Sequence, residues 1–406
     1  MSGKASLLVV AGFSMLFLII SQNFGSVSNR AVDNLVEYQT ETIAHNIAVS
    51  GANLAANQVY FDNTWNAGYS DIPFQGGKLN VTMVEIDPYQ DLHEVTSTGT
   101  YNGYTSTVKV KMAPSKFSKF AYFSIYEGGS IWWTKNDTVW GPFHTQDYIR
   151  CYRHPVFYGK TTTKRRLKYY TSKSKDKPRL YGGFEKGVNL PLPANGLDKA
   201  KLAAQDDGLY FNGADTVYIT MDRDSIKYRY SYNSPDTALH LSSVAPNGVI
   251  FANNSVVRLK GVVSGQYSIA CSGAGSNGRI YLDDDIVFDK DPRIDPTSID
   301  LLGIISENEV LITDNPPNHS DINIHAAIYA GKGGFGSENY SSRPVSGNIN
   351  LLGGITQHTR RAVGTFNSGG IASGFSKRYK YDERLMLASP PYFPGTGNYE
   401  IVSWFE

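Results

Sequence analysis

The first sixty residues carry the longest hydrophobic pattern in the chain. Residues 5–20 are all apolar or small (ASLLVVAGFSMLFLII). With the five residues that follow, the stretch reaches the roughly 20 residues that span a ~30 Å hydrocarbon core. We therefore expect a membrane and assembly helix, with Leu7, Leu8, Val9, Phe13, Leu16 and Leu18 as its membrane and assembly residues. The alternative is a cleaved secretory signal, but only Lys4 precedes the run and no Ala-x-Ala pattern follows it.

The helical pattern continues beyond the length of one membrane span. Apolar or small residues recur at spacings of three and four through residue 54, and no proline interrupts residues 5–61. The pattern predicts one rod of roughly 85 Å at about 1.5 Å per residue. We assign residues 1–25 to the leader and transmembrane half and 26–62 to a projecting half. Small side chains in the projecting half should let a sheet or another helix approach closely.

Three runs of β character follow the helix, at residues 78–86, 93–100 and 104–112. Turn residues separate them, and Asn102-Gly103 is a strong hairpin signal. The sequence therefore predicts a long helix followed by an antiparallel sheet within residues 63–115.

This arrangement over residues 1–112 resembles a type IV pilin or pseudopilin. The resemblance implies that Gly3 occupies the prepilin-peptidase cleavage position and that Lys4 is the first mature residue. Major pilins carry a glutamate at the fifth mature position, where this chain has Leu8, so the resemblance indicates a minor or tip subunit. It also implies an inner-membrane anchor, with other pilin-like subunits bound through the helix and entry into a surface filament.

Beyond residue 115 the pattern changes to short strands and glycines. An echo of the form Gly-x-aliphatic/aromatic-x-x-amide/His begins at Gly141, Gly248, Gly303 and Gly353, at near multiples of a ~25-residue repeat. We expect residues 116–406 to form a right-handed parallel β-helix with a C-terminal cap and amide ladders at its corners; a β-sandwich is the alternative. The predicted inward side chains are those of Ile250, Val257, Ile305, Ile312, Ile328 and Ile355.

The same region resembles a β-helical ectodomain that accompanies pilin-like N-termini in some bacteria. The resemblance is carried by residues 141–145 (GPFHT), 154–157 (HPVF) and 300–305 (DLLGII), and by the tail segments 380–385, 390–394 and 403–406. It implies no catalytic activity.

Composition supports a mainly β protein, since 13% of residues are aromatic and glycine and tyrosine are abundant. The net charge of +1 removes overall electrostatics as an argument for nucleic-acid binding. Cys151 and Cys271 cannot form a disulfide scaffold or a zinc site, although an oxidising compartment would permit them to pair.

One local stretch departs from this neutrality. Residues 160–179 contain nine Lys or Arg and a single acid, Asp176. We expect Lys164, Arg165, Arg166 and Lys168 to contact an anionic partner, either polysaccharide, nucleic acid or lipid headgroups. The alternative is a solvated loop.

The acidic run Asp283, Asp284 and Asp285 is a weak calcium candidate, because the spacing lacks the glycine and closing glutamate of an EF-hand. The eight histidines show no metal-ligand spacing, and no cofactor is expected.

The sequence thus predicts a non-enzymatic, membrane-anchored structural subunit with a short cytoplasmic N-terminus and a periplasmic or extracellular ectodomain. A surface-anchored, carbohydrate-active β-helix enzyme or an adhesin are the alternatives.

Overall fold

The computed structural model describes residues 2–135, 137–367 and 370–406, and the chain divides into two compact units. The helix-sheet unit comprises the chain up to Ala113 together with Tyr399–Glu406. The parallel-strand unit comprises Pro114–Asn398. The chain is mainly β, as the sequence predicts.

The helices are α1 (Ser2–Phe61), α2 (Lys173–Asp176), α3 (Asp198–Asp207) and α4 (Leu241–Val244), with 3₁₀ turns at Phe117–Lys119, Pro316–His319 and Glu383–Met386. The strands of the first half are β1 (Tyr69–Phe74), β2 (Gly77–Asp87), β3 (Leu92–Tyr101), β4 (Tyr104–Lys116), β5 (Tyr122–Tyr126), β6 (Thr138–Val139), β7 (Phe143–Thr145), β8 (Ile149–Cys151), β9 (Val156–Phe157), β10 (Thr161–Thr163), β11 (Leu167–Tyr169), β12 (Arg179–Leu180) and β13 (Phe184–Lys186). Those of the second half are β14 (Leu209–Asn212), β15 (Thr216–Arg223), β16 (Ser225–Arg229), β17 (Thr237–His240), β18 (Val249–Asn253), β19 (Val256–Val263), β20 (Gln266–Ser272), β21 (Arg279–Phe288), β22 (Leu301–Ser306), β23 (Val310–Ile312), β24 (Ile322–Ala330), β25 (Phe335–Ser337), β26 (Val345–Thr359), β27 (Gly364–Asn367), β28 (Gly370–Lys380) and β29 (Gly395–Phe405).

The helix-sheet unit packs the C-terminal part of α1 on a five-stranded sheet of order β1-β2-β3-β4-β29. The predicted long helix is confirmed, and so is the antiparallel sheet, since β1 to β4 pair in succession as antiparallel neighbours. Fully buried small and apolar side chains of α1, including Ala48 and Ala52, face buried valines of the sheet such as Val95 and Val108. The apolar stripe of the helix therefore supplies half of this core.

Helix and sheet approach each other at backbone distance. A Cβ added at Gly99 of β3 would lie 2.2 Å from the Ala44 carbonyl oxygen and 2.6 Å from the Ala48 nitrogen. No larger residue fits there without moving the helix, because both atoms belong to the helix backbone. The small residues of the projecting half thus have the close-packing role that the sequence predicts.

The C-terminal strand β29 was not anticipated. The predicted β-helix domain ran to residue 406, but β29 lies beside β4 and its last residues belong to the helix-sheet unit. Its alternating exposed and half-buried residues indicate a strand with only one covered face.

The parallel-strand unit is organised by one long row of residues that face each other across parallel strand pairs. In spatial order the row is Leu209, Ile250, Ile269, Ile304, Ile328, Ile355, Tyr122, Phe143, Thr161 and Phe184. Because β26 pairs with β5, the row continues from β26, late in the sequence of this unit, to β5, which is the first strand wholly within it. We call this row the inward row, since most of its members lie in the main buried cluster.

The inward row corrects one predicted residue. Ile305 is fully buried, as expected, but Ile304 is the residue that aligns with Ile250 and Ile355, and Ile304 belongs to the main cluster. The echo beginning at Gly303 is therefore one residue out of register with the others, and a one-residue slip reverses the face of a side chain. The other five predicted inward residues lie in the main cluster.

A second parallel row runs through Val217, Val257, Ile280, Val310 and Phe335, all of which are buried. Short parallel pairs also join β6, β9 and β12, and β8 and β11. The sheets are mixed, however, because β15-β16-β17 and β27-β28 are antiparallel. The pattern of short runs and glycines did not indicate these hairpins.

Side-chain amides pair across neighbouring strands, at the ends of β14 and β18 and within β24 and β26. Asn253 donates to Asn212 at 2.9 Å, and Asn350 donates to Asn323 at 3.1 Å. On the face opposite the inward row, Tyr329 is buried among aromatic rings of Phe117 and Phe393 and near Gly196 of the segment before α3. The central strands are therefore covered on both faces.

Replacing Gly99 with alanine should destabilise the helix-sheet unit by about 1–3 kcal/mol, because the new methyl group meets helix backbone that no rotamer change can move. The measurement is the free energy of unfolding in urea. Thr98→Ala is the matched control, since Thr98 neighbours Gly99 on the opposite face of β3. Equal unfolding free energies for the two variants would contradict direct packing of α1 on β3.

Candidate assembly helix, basic corner and buried ion pair

The N-terminal part of α1 is not covered by the rest of its unit, and the hydrogen bond that Tyr104 donates to Glu37 lies close to the start of the docked part. Residues 3–39 are all exposed, and burial begins at Thr40. By length and composition, the helix is long and apolar enough to cross a membrane. All six predicted assembly residues are exposed by half or more, from Leu16 at 54% to Leu8 at 75%. Gly3, the predicted processing site, has open space around it.

The charge pattern of α1 follows this division. Between Lys4 and Arg30 there is no charged residue, while Arg30, Asp33, Glu37 and Glu41 lie in the turns that precede or begin the docked part. A helix surface that is apolar on every side is stable in lipid or among other helices, but not in water. The exposed part of α1 is therefore the first candidate functional surface.

The second candidate is the basic corner, which we define as Tyr148, Lys164, Arg165 and Arg166. These four residues line an open cavity of about 370 Å³. Parallel pairing of β7 with β10 and of β8 with β11 stacks the turn containing Tyr148 against the turn containing the three cations. The guanidinium carbons of Arg165 and Arg166 lie 5.4 and 5.9 Å from the Tyr148 ring centroid, within cation–π range.

The buried neighbour of the basic corner is an ion pair. Arg150 donates to Asp147 at 2.8 Å, and both side chains are at most one-tenth exposed. Burial raises the pKa of Asp147, but hydrogen bonds from Arg150 and from backbone N–H groups outweigh it and leave that pKa below its usual range. Asp147 is thus ionised and paired with Arg150.

The rest of the basic stretch lies around this corner. Lys168 is exposed and aligns with Arg150 across β8 and β11. Its single acid, Asp176, accepts hydrogen bonds from the backbone N–H groups of Arg153, Thr171 and Ser172. The structure therefore brings together Lys164, Arg165 and Arg166, and it uses Asp176 to fix the turn.

The three candidate calcium ligands all lie in β21, where their contacts are with protein groups. Asp283 forms a two-point ion pair with Arg258 and accepts from Thr313, and Asp285 accepts from the backbone and side chain of Asn323. Among the residues that the structure describes, no group of three His, Cys, Asp or Glu has a metal-binding arrangement. Calcium binding stays an untested prediction.

Sequence reasoning missed a buried polar cluster around Glu127, which follows β5. The Glu127 carboxylate accepts from Tyr122 and from the Trp133 indole, each at 2.7 Å, and pairs with Arg360 at 3.0 Å. Both charged side chains are almost fully buried, and the Arg360 guanidinium lies 4.0 Å from the Trp133 ring centroid. Burial and the Glu127 charge raise the pKa of Tyr122 well above its usual value, so the phenol stays a donor.

This ion pair lies at the junction of β5 and β26, with Glu127 immediately after one strand and Arg360 immediately after the other. No local motif marks it, since the two residues are 233 positions apart and each is surrounded by ordinary turn sequence. Only the pairing of Tyr122 with Ile355 makes them neighbours.

The two cysteines do not pair. Both are buried free thiols, and burial raises the pKa of each to about 12. Cys151 aligns with Tyr169 and Cys271 with Ala252, so the two thiols lie in different strand rows. The disulfide that the sequence permits is not formed.

Among solved structures, the chain is similar to that described as "competence-associated pilin ComZ from Thermus thermophilus". The TM-score is 0.34 and the identity 13%, over 90% of this chain and 96% of that chain. A superposition this loose carries no argument about fold or function. No family model matches the sequence, and no curated protein matches it.

Replacing Glu127 with glutamine should destabilise the parallel-strand unit by about 3–5 kcal/mol, because Arg360 would keep its charge in a buried site without a counterion. Urea unfolding followed by tryptophan fluorescence measures the loss, since Trp133 contacts both residues. Glu185→Gln is the control: its ion pair with Lys160 is exposed and should contribute less than about 1 kcal/mol. Similar losses in both variants would show that the Glu127 pair has no special role.

Proposed function

We propose that the protein is a membrane-anchored, extracytoplasmic structural subunit, a minor pilin or pseudopilin of a type IV pilus-like or type II secretion-like assembly. The observation that carries the proposal is the division of α1 into an exposed apolar part and a part docked on an antiparallel sheet. One helix thereby connects a hydrophobic environment to a folded unit without a flexible linker. Such a connection suits a subunit that must hold its folded part at a defined position.

The length of the exposed part favours assembly over simple anchoring. A membrane span needs about 20 residues, whereas the exposed segment runs on to residue 39. Beyond the span, Val32, Leu35 and Val36 still expose more than half of their surface. Apolar groups outside the hydrocarbon core gain stability when another helix covers them. Packing against the helices of neighbouring subunits would supply that cover.

Charge placement supports the proposed orientation. Lys4 precedes the apolar stretch, so the positive-inside tendency places the short N-terminus in the cytoplasm and both folded units outside it. Gly3, with open space around it, would be accessible to a prepilin peptidase. Leu8 in place of the usual glutamate agrees with a minor or tip position.

We further propose that the parallel-strand unit is a parallel β-helix carried by the pilin-like part. Except where Ile355 meets Tyr122, neighbours in the inward row lie about 20–40 residues apart in sequence, which is the length of one turn of such a helix. Its stacked strands would form a stiff body suited to display at the end of an assembly.

The full-length protein should stay in membranes washed with alkaline carbonate, whereas a chain that begins at Ser26 should appear in the soluble fraction. The reason is that residues 5–25 carry the uncharged apolar surface. Quantitative immunoblotting of both fractions measures this difference. Equal thermal unfolding of the two chains in detergent is the control for intact folding. Retention of the shortened chain by washed membranes would contradict the anchor.

Assembly through α1 should produce cross-links that depend on helix face. Single cysteines at Leu7, Phe13, Leu16 and Leu18 would be oxidised in the membranes of the native cell. Positions on the packed face should form adducts of higher mass, and positions on the opposite face should not. Cys151 and Cys271 should not interfere, since both are buried and their raised pKa keeps them protonated.

Mass spectrometry of the adducts would identify a second copy or another subunit as the partner. A cysteine at Asn53, exposed on the docked part of α1, is the control outside the proposed assembly surface. Absence of adducts at all four positions, or equal yields at all five, would contradict a specific helix-mediated assembly.

A further inference from the structure

One end of the parallel-strand unit carries a concentrated excess of positive charge. We call residues 160–186 the end segment, because its strands β11, β12 and β13 terminate their rows. Among the described residues, β13 pairs only with β10, β11 only with β8 and β12 only with β9. The end segment holds ten Lys or Arg against Asp176 and Glu185, in a chain whose net charge is +1.

The carboxylates of this region bind groups other than the three cations of the basic corner. Asp176 accepts from three backbone N–H groups, Glu185 pairs with Lys160, and Asp147 pairs with buried Arg150. Within the described part of the chain, Lys164, Arg165 and Arg166 have no acidic partner within ion-pair distance. Three cations of the basic corner therefore face one cavity with their charge uncompensated.

We propose that the basic corner binds a carboxylated polysaccharide, with the carboxylate of one sugar residue held by Lys164, Arg165 and Arg166. Arginine offers paired donors in a plane that matches a carboxylate. The cavity of about 370 Å³ has the size of a small-ligand site, and its open shape lets a polymer continue on both sides. The cations beyond the corner, including Lys168, would contact further acidic sugars.

The aromatic side chains favour a glycan over single-stranded nucleic acid. Stacking of bases requires open ring faces. At the basic corner, guanidinium groups of Arg150, Arg165 and Arg166 lie over the Tyr148 ring. Trp140, Tyr158 and Tyr181 stack on one another beside a different strand row, β6, β9 and β12, and none of these three rings lines the cavity of the basic corner.

The size of the cavity favours a glycan over duplex DNA. A duplex presents its phosphates on a wide convex surface, which fits a broad positive face better than a cavity of this size.

The test measures the affinity of the full-length protein in detergent for polygalacturonate oligomers. Fluorescence anisotropy at fixed salt is the readout. The triple variant K164Q/R165Q/R166Q should bind at least about tenfold more weakly, since three charge-assisted contacts are lost. The matched control K173Q/K175Q/K177Q removes the same charge from the same end segment outside the cavity and should change affinity by less than about threefold. Unfolding curves of both variants establish that they are folded.

Neutral dextran and a 30-base-pair DNA duplex are the comparison probes. Binding of polygalacturonate but not dextran, lost only in the basic-corner variant, supports the proposal. Equal loss in both triple variants would overturn it by showing diffuse charge attraction without a site. Tighter binding of the duplex than of polygalacturonate, or no binding of polygalacturonate, would also overturn it.

Discussion

The parallel pairing of β26 with β5 is the interaction on which the larger unit depends. It brings Ile355 opposite Tyr122 and so joins strands from the beginning and the end of that unit into one inward row. Without it, β5, β7, β10 and β13 would form a separate short stack with an uncovered end. Parallel pairing satisfies the backbone groups of both edges and buries the side chains between them at the same time.

The Glu127–Arg360 ion pair lies at that junction. It favours one register of strand pairing, but burying its two charges is unfavourable. Two charges are removed from water, and their attraction offsets that cost only because Tyr122, Trp133 and Ser124 also donate hydrogen bonds to the carboxylate. Apolar residues could have joined the strands with comparable stability. The ion pair instead penalises any other register, since a shifted strand would leave a buried charge unpaired.

A different constraint governs the helix-sheet unit. Gly99 allows the backbones of α1 and β3 to meet, and the buried alanines of α1 complete the contact. The docked part of the helix is thus held along its length, whereas residues 3–39 are exposed, with the hydrogen bond from Tyr104 to Glu37 close to the boundary. Our proposal that this part packs in a membrane and among other subunits follows from the same apolar surface that stays uncovered.

The local elements with strong periodic signals could be predicted from the sequence. The apolar run after Lys4 and the three- and four-residue spacing beyond it predicted α1, and Asn102-Gly103 marked the hairpin of β3 and β4. Short strands near glycines identified Ile250 and Ile355 as core residues. These predictions succeeded because helix periodicity and turn chemistry depend on neighbours in the chain.

Tertiary structure alone decided the register and the long-range partners. The echo at Gly303 pointed to Ile305, but the strand ladder selects Ile304 as the inward residue. The ion pair of Glu127 with Arg360, the free state of Cys151 and the basic corner likewise depend on which strands lie side by side. Parallel strands pair across long connections, so no spacing within a short segment records their alignment.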